Sequence, residues 1–157
     1  MISFTKELTE KVSVDSRQIV TFNSGLIGLP QLKVFALIED EESLPIRLLQ
    51  CVSTPEFVFV VINPFNIYPN YDVEISDDDA EELGVTSPSD VLLLAIVTVP
   101  EDVRFVTANL LSPIVINMRN KRAKQILLSD TDYPINYRVL RADERVERRS
   151  GRLQVAS

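Results

Sequence analysis

Residues 91–99 read VLLLAIVTV, and this stretch decides the fold class of the chain. It is apolar at nearly every position, it is rich in β-branched side chains, and Pro100 ends it. A short, continuous apolar run of this kind is typical of a strand that is buried on both faces. The sequence therefore predicts a sheet whose central strand is 91–99.

Shorter patterns of the same type lie on both sides of this run. Apolar or alternating segments bounded by turn residues predict strands. The predicted strands are 18–22, 34–38, 46–52, 57–62, 71–75, 103–110, 114–118, 125–128 and 137–140. Many short strands with little helix indicate an all-β, mostly antiparallel fold, and we expect a single barrel-like domain.

One short helix is predicted near residues 77–84. Ser76 is a suitable N-cap, acidic residues at 77–79 suit the helix N-terminus, and Gly84 suits the C-terminal stop. From residue 141 onward the sequence is RADERVERRSGRLQVAS, which has many charges and few large apolar side chains. We therefore expect a barrel domain over 1–140 and a charged tail over 141–157 that is helical or disordered.

The chain of 157 residues contains no histidine and one cysteine. Without histidine there is no Ser-His-Asp triad and no His-based zinc site. Cys51 lies in an apolar segment without nearby cations, which is typical of an inert core thiol. Asp77–Asp79 lack the spacing of a calcium loop. We predict a binding protein without enzymatic activity, cofactor or metal, although catalysis by paired carboxylates stays open as an alternative.

The N-terminal sequence MISFTKELTEKVSVD has charged residues where a signal peptide needs an apolar run. The longest apolar run is 91–97, which is far shorter than the roughly 20 residues of a membrane helix. A single cysteine cannot form an internal disulfide. These features predict a cytoplasmic protein that has no membrane partner.

Charge is distributed unevenly along the chain. Residues 1–103 carry 18 carboxylates and 5 basic side chains, whereas residues 104–157 carry 11 basic and 5 acidic ones. Between residues 48 and 103 there are 11 carboxylates and no Lys or Arg. This pattern indicates either a solvated acidic surface or a docking face for a basic partner. The acidic half is unsuited to phosphate contacts, while a nucleic-acid binder that uses the basic half, including the cluster 119–124, is a further alternative.

The segment 64–71, PFNIYPNY, places large apolar side chains in a loop that two prolines interrupt. Aromatic residues are favoured interface anchors, and prolines reduce the entropy lost when a loop is ordered. The alternative is a loop that packs on its own core. The acidic residues that follow directly make this segment our candidate for a partner-binding surface.

Several segments, taken in order, resemble the FliW family of flagellar assembly factors over about residues 17–140. They are FNSGLIGL at 22–29, VINP at 61–64 followed by Tyr71, IVTVP at 96–100, TANLLSPIVIN at 107–117, and QILL at 125–128 leading to Tyr133. The resemblance implies a β-barrel-like regulator that is not an enzyme.

The resemblance also implies partners. FliW-like proteins bind the RNA-binding repressor CsrA, antagonise its repression of flagellin mRNA away from its RNA-contacting residues, and bind flagellin in a partner switch. The alternative is a flagellin export chaperone that has no effect on CsrA. We expect no direct binding to nucleic acid. The predicted contact residues for CsrA are Pro64, Phe65, Asn66, Ile67, Tyr71, Asp72, Glu74, Asp77 and Asp78.

Overall fold

Nine strands account for most of the regular structure in the computed structural model, which describes residues 18–129 and 131–139. In chain order they are β1 (Ile19–Phe22), β2 (Val34–Glu39), β3 (Ile46–Cys51), β4 (Val58–Ile62), β5 (Val91–Thr98), β6 (Thr107–Ala108), β7 (Ile114–Asn117), β8 (Arg122–Gln125) and β9 (Tyr137–Arg138). One α-helix, α1 (Asp77–Leu83), lies between β4 and β5 within these ranges. None of the helices in the described part is long and apolar enough to cross a membrane.

Seven of the strands close into a ring. They follow the order β4-β3-β2-β1-β8-β7-β5, and β4 pairs with β5 to complete the circuit. All neighbouring pairs are antiparallel except β1 and β8, which are parallel. The short strands β6 and β9 extend the sheet from β5. The prediction of a mostly antiparallel, barrel-like fold with one short helix is confirmed.

The ring encloses the main hydrophobic core. Phe22, Phe35, Leu49, Leu94 and Ile116 are fully buried members of this core. β5 pairs with β4, β6 and β7. Its sequence is apolar on both faces because Leu94 enters this core, whereas Ala95 and Val97 enter a second buried cluster. The predicted central strand is therefore confirmed.

Helix α1 begins and ends where its sequence predicts. The Ser76 hydroxyl oxygen accepts a hydrogen bond from the Asp79 amide at 3.1 Å. Gly84 has φ +70°, and its amide donates to the carbonyls of the last turn. A side chain at Gly84 would be strained by this φ and would press on the Asn120 amide at 3.0 Å. The cap and the glycine therefore fix α1 at seven residues.

Three strand predictions are wrong. The segment 71–75 belongs to no strand. Its alternate side chains pack on the ring, but its described backbone hydrogen bonds run from Tyr71 to the Tyr68 carbonyl and from Asp72 to the Tyr133 hydroxyl, not to a neighbouring strand. Most of 103–110 is irregular, with a 3₁₀ turn at Val103–Phe105 before β6. The strand predicted at 125–128 is β8, shifted towards the N-terminus into the basic cluster.

The shift of β8 has a physical cause in the β7–β8 hairpin. Asn117 pairs with Arg122, so the connection is tight, and Lys121 in it adopts φ +63°. Ala123 is the buried side chain of β8, and the charged side chains beside it point outward. Residues 126–128 continue with two isolated backbone hydrogen bonds, from Ile126 to Pro113 and from Leu128 to Leu111. Of the predicted strand 137–140, the structure has β9 at Tyr137–Arg138. Residue 140 and the predicted tail at 141–157 lie outside the described residues.

Candidate partner-binding surface

A 3₁₀ turn at Pro64–Asn66 begins the predicted contact segment. The side-chain oxygen of Asn63 accepts a hydrogen bond from the Phe65 backbone amide at 3.0 Å and so caps this turn. Pro64 is buried, Ile67 is half-buried, and Asn66 is exposed. The Phe65 side chain remains 45% exposed although its ring touches the edge of the core. The turn therefore holds one aromatic side chain at the surface.

The four tyrosines of the chain pack together behind this turn. Tyr68 makes edge-on contacts with Tyr133 and Tyr137, at ring-centre distances of 5.6 and 5.3 Å. Tyr71 lies 4.7 Å from Tyr133 and 6.1 Å from the ring of Phe65. Such edge-on and tilted pairs are favourable beyond the area they bury. This tyrosine cluster fastens the segment 64–71 to the segment 131–139.

Tyr71 is part of the core rather than of the surface. It is 4% exposed, and its hydroxyl donates a hydrogen bond to the Leu110 carbonyl at 2.5 Å. Burial, with a smaller contribution from Tyr133, raises the pKa of the Tyr71 phenol well above its usual range. Among the predicted contact residues, Tyr71 and Pro64 are thus buried beneath the candidate surface rather than exposed on it.

Replacing Tyr71 with Phe should destabilise the protein in a pH-dependent way. At pH 7 we expect a loss of about 1–3 kcal/mol, because the buried Leu110 carbonyl loses its donor. Above pH 10 the unfolded wild-type tyrosine releases a proton that the folded one retains, so wild-type stability falls by up to about 1.4 kcal/mol per pH unit. Urea unfolding of both proteins at pH 7 and pH 11 measures this effect. A difference in stability that does not shrink between the two pH values would contradict it.

Residues 72–75 form an extended segment that follows the tyrosine cluster. Asp72 and Glu74 are exposed, whereas Val73 and Ile75 are half-buried against the ring. The Asp72 amide donates to the Tyr133 hydroxyl at 2.9 Å, which anchors the start of the segment. The backbone groups of residues 73–75 make no hydrogen bond to any described residue. The segment therefore displays carboxylates and an unpaired backbone edge together.

The acidic face of α1 continues this surface. Lys124 pairs with Asp79 at 2.7 Å and with Glu82 at 3.2 Å. The hydrogen bond to Asp79 raises the pKa of the Lys124 ammonium, although partial burial acts in the opposite direction. Asp77 and Asp78 are exposed. Within the described ranges, four carboxylates at this surface form no ion pair, namely Asp72, Glu74, Asp77 and Asp78.

A groove of about 780 Å³ lies between residues 72–79 on one side and residues 126–129 and 131–133 on the other. Its rim carries Asp72, Glu74, Asp77 and Asp132, and its apolar wall includes Ile126 and Leu128. We call it the acidic groove. Its carboxylate-rich lining suits a ligand that carries positive charge.

A second groove, of about 530 Å³, lies on the other side of the same extended segment. Phe65, Val73, Ile75, Val85 and Leu93 line it. We call it the apolar groove. Because Glu74 and Ile75 contribute to both grooves, residues 72–75 form the ridge that separates them.

Other motifs of the sequence have structural roles here. Cys51 is buried in the ring. The basic cluster 119–124 forms the β7–β8 hairpin, and its Arg119 and Lys124 pair with carboxylates. Asn117 and Asn120 each donate to the Leu83 carbonyl at 2.9 Å, which fastens α1 to this hairpin. Across the described ranges, no three metal-ligating side chains converge.

Sequence reasoning missed the far wall of the acidic groove. Tyr133 and Asp132 lie about 60 residues beyond Asp72 in the chain, and no periodicity connects the two segments. The available signal was the end of the last family-like segment, which leads to Tyr133. Of the predicted contact residues, Asp72, Glu74 and Asp77 line the acidic groove, and Phe65 lines the apolar groove.

Comparisons with known proteins agree with this architecture. The family model described as FliW protein matches residues 3–139 of the chain. A relative from Geobacillus sp. strain WCH70, named flagellar assembly factor FliW, is 39% identical over 128 residues, which cover 82% of this chain and 88% of the relative. A relative of the same name from Alkaliphilus metalliredigens strain QYMF is 33% identical over 158 aligned residues, which cover 100% of this chain and 97% of the relative.

A solved structure is also similar. The chain superimposes on a crystal structure of the flagellar assembly factor FliW with a TM-score of 0.77 and 36% sequence identity. The match covers 83% of this chain and 91% of the other. The family match spans the ring, α1 and both grooves.

Proposed function

Because this chain belongs to the FliW family of flagellar assembly factors, we propose that it is a cytoplasmic regulator without enzymatic activity. In this proposal it binds the translational repressor CsrA and relieves the repression of flagellin mRNA. Flagellin competes for the protein, so flagellin that is not yet exported lowers its own synthesis.

One arrangement carries the proposal: the exposed Phe65 ring lines a groove together with Glu74, one of the carboxylates that have no described cationic partner. A repressor that holds RNA presents basic side chains, because phosphate contacts require them. The carboxylates would speed encounter with such a protein, and the aromatic ring would slow its release. The arrangement supports docking of CsrA along residues 64–78.

The same negative charge supports an indirect effect on RNA. A carboxylate-rich surface attached to CsrA repels phosphates and lowers RNA affinity without occupying the RNA-contacting residues. This effect is screened by salt. Relief of repression by this route should therefore weaken as ionic strength rises.

The apolar groove favours a second candidate function. A groove lined by Val73, Val85 and Leu93 suits the apolar side chains of a flagellin segment that is kept unassembled. A flagellin export chaperone without an effect on CsrA would use this groove alone. That function predicts flagellin binding that is unaffected by CsrA.

A titration into a preformed complex of CsrA and flagellin leader RNA separates the two functions. RNA mobility is followed while this protein is added, and flagellin is added afterwards. RNA release that flagellin reverses supports the regulator. Binding to flagellin without RNA release supports the chaperone, and binding to neither partner contradicts both proposals.

The double substitution Asp77→Lys and Asp78→Lys should slow association with CsrA. We expect about a tenfold lower association rate at low salt, and a weaker salt dependence, because exposed charges act mainly on encounter. Surface plasmon resonance at several salt concentrations measures both. The matched control is Glu41→Lys with Glu42→Lys, which makes the same charge change at exposed positions in the β2–β3 connection. Equal slowing in both variants would mean that net charge alone is responsible.

A further inference from the structure

Asp72, Glu74 and Ile75 line one side of the acidic groove. The side chains of residues 72–75 alternate between exposed and half-buried, as in an extended segment, and the amide and carbonyl groups of residues 73–75 are unpaired with any described residue. An extended segment can add to such an edge through backbone hydrogen bonds, while its side chains enter the flanking grooves. The occupant suited to this groove is therefore an extended segment that has positive charge and some apolar side chains.

The chain itself contains a segment of this chemistry. Residues 140–157 carry five arginines against three acidic residues, and Leu153 and Val155 alternate with polar positions near the end. The five arginines are Arg141, Arg145, Arg148, Arg149 and Arg152. The carboxylates on the groove rim have no described cationic partner, so the charges of the two segments are complementary.

The position where the described chain ends makes this contact possible. Val139 lies beside Val106, where its amide donates to the Val106 carbonyl at 2.9 Å. Tyr133, in the groove wall, is six residues earlier, so the groove is within about 20 Å of Val139. Eighteen further residues can span up to about 60 Å. Covalent linkage also sets an effective concentration on the order of millimolar, so even a weak contact is populated.

We propose that the C-terminal segment 140–157 binds back into the acidic groove, beside the unpaired edge of residues 73–75. The bound segment covers Asp72, Glu74 and Asp77, so the protein's own C-terminal segment occupies the groove. An incoming basic partner must displace it. This autoinhibition, but not the contact itself, rests on the proposed function, because it concerns access of CsrA to the same carboxylates.

A spin label on the tail of the full chain tests the contact without any partner. Ser150→Cys provides the label position, and the native Cys51 is buried and does not compete for the reagent. We expect strong broadening of backbone amide signals at residues 72–77 and 126–133 at low salt, with recovery at high salt. Absence of broadening in the groove, or broadening confined to another surface, would overturn the proposal.

Two controls make the result specific. Replacing Arg145, Arg148, Arg149 and Arg152 with Glu should abolish the broadening, whereas replacing Asp143, Glu144 and Glu147 with Lys should preserve or strengthen it. A mixture of spin-labelled molecules without isotopes and isotope-enriched molecules without the label must show no broadening. Broadening in this mixture would mean that the segment of a second copy occupies the groove.

The autoinhibition has its own readout. The arginine-to-glutamate tail should bind CsrA several-fold faster than the wild type, because the groove is then free. Equal rates would overturn the autoinhibition. Failure of both proteins to bind CsrA, with broadening intact, would contradict the proposed function and leave the tail contact standing.

Discussion

Replacing Phe65 with Ala should weaken CsrA binding by at least about 30-fold, which corresponds to about 2 kcal/mol. The Phe65 ring is the large aromatic side chain that the 3₁₀ turn holds at the surface, in a groove that Glu74 also lines. Aromatic side chains in such positions carry a large share of binding energy, because they bury much area with little loss of conformational freedom. Isothermal titration calorimetry with purified CsrA measures the change.

The matched control is Phe105→Ala. Phe105 is 57% exposed, and the Arg104 and Arg138 guanidinium groups lie over its ring, so it belongs to a cationic part of the surface. We expect this variant to bind CsrA as the wild type does. A Phe65 variant that binds normally, or a Phe105 variant that loses as much affinity, would place the CsrA surface elsewhere. Urea unfolding of both variants confirms that the fold is intact.

Replacing Leu83 with Ala should lower the free energy of unfolding by about 3 kcal/mol, within the usual range for a buried leucine. Leu83 is 2% exposed and packs with Val115 and Ile126 beneath α1. The truncation leaves a cavity there. Because α1 carries Asp77 and Asp78, the same cavity should also loosen the acidic surface. Urea-induced unfolding followed by circular dichroism measures the loss.

Leu127→Ala makes the same chemical change at a position that is 68% exposed. We expect its effect to stay within about 0.5 kcal/mol. If Leu83→Ala cost less than about 1 kcal/mol, the helix would not depend on this packing. If both variants lost several kcal/mol, the exposed position of Leu127 would need another explanation.

The sequence predicted the ring and the helix well, because both depend on local signals. The apolar run in β5 reflects burial of both of its faces, and Ser76 and Gly84 mark the ends of α1 through the hydrogen bond and the positive φ that these positions require. The alternation in 71–75 misled for a physical reason. Side chains that pack on a surface in turn produce the period of a strand even where no neighbouring backbone completes the ladder.

The candidate surface was only half visible from the sequence. Phe65 and the carboxylates are close in the chain, so composition drew attention to them. Tyr71 belongs to the same stretch, but it is buried against Tyr133 and Leu110, which tertiary structure brings close. The charged sequence of β8 did not indicate a strand. Ala123 is its one buried residue, and Lys124 forms an ion pair with Asp79 of α1.

The parallel pair β1–β8 also constrains how the protein forms during synthesis. Thr21 pairs with Arg122, so the ring joins residues about 100 positions apart. A nascent chain therefore carries β1 with one edge unpaired until β8 has been made. Such an edge can attract other extended chains. The ribosome must deliver nearly the whole barrel before this edge is protected, and a protein that stops short of β8 would be a target for chaperones and proteases.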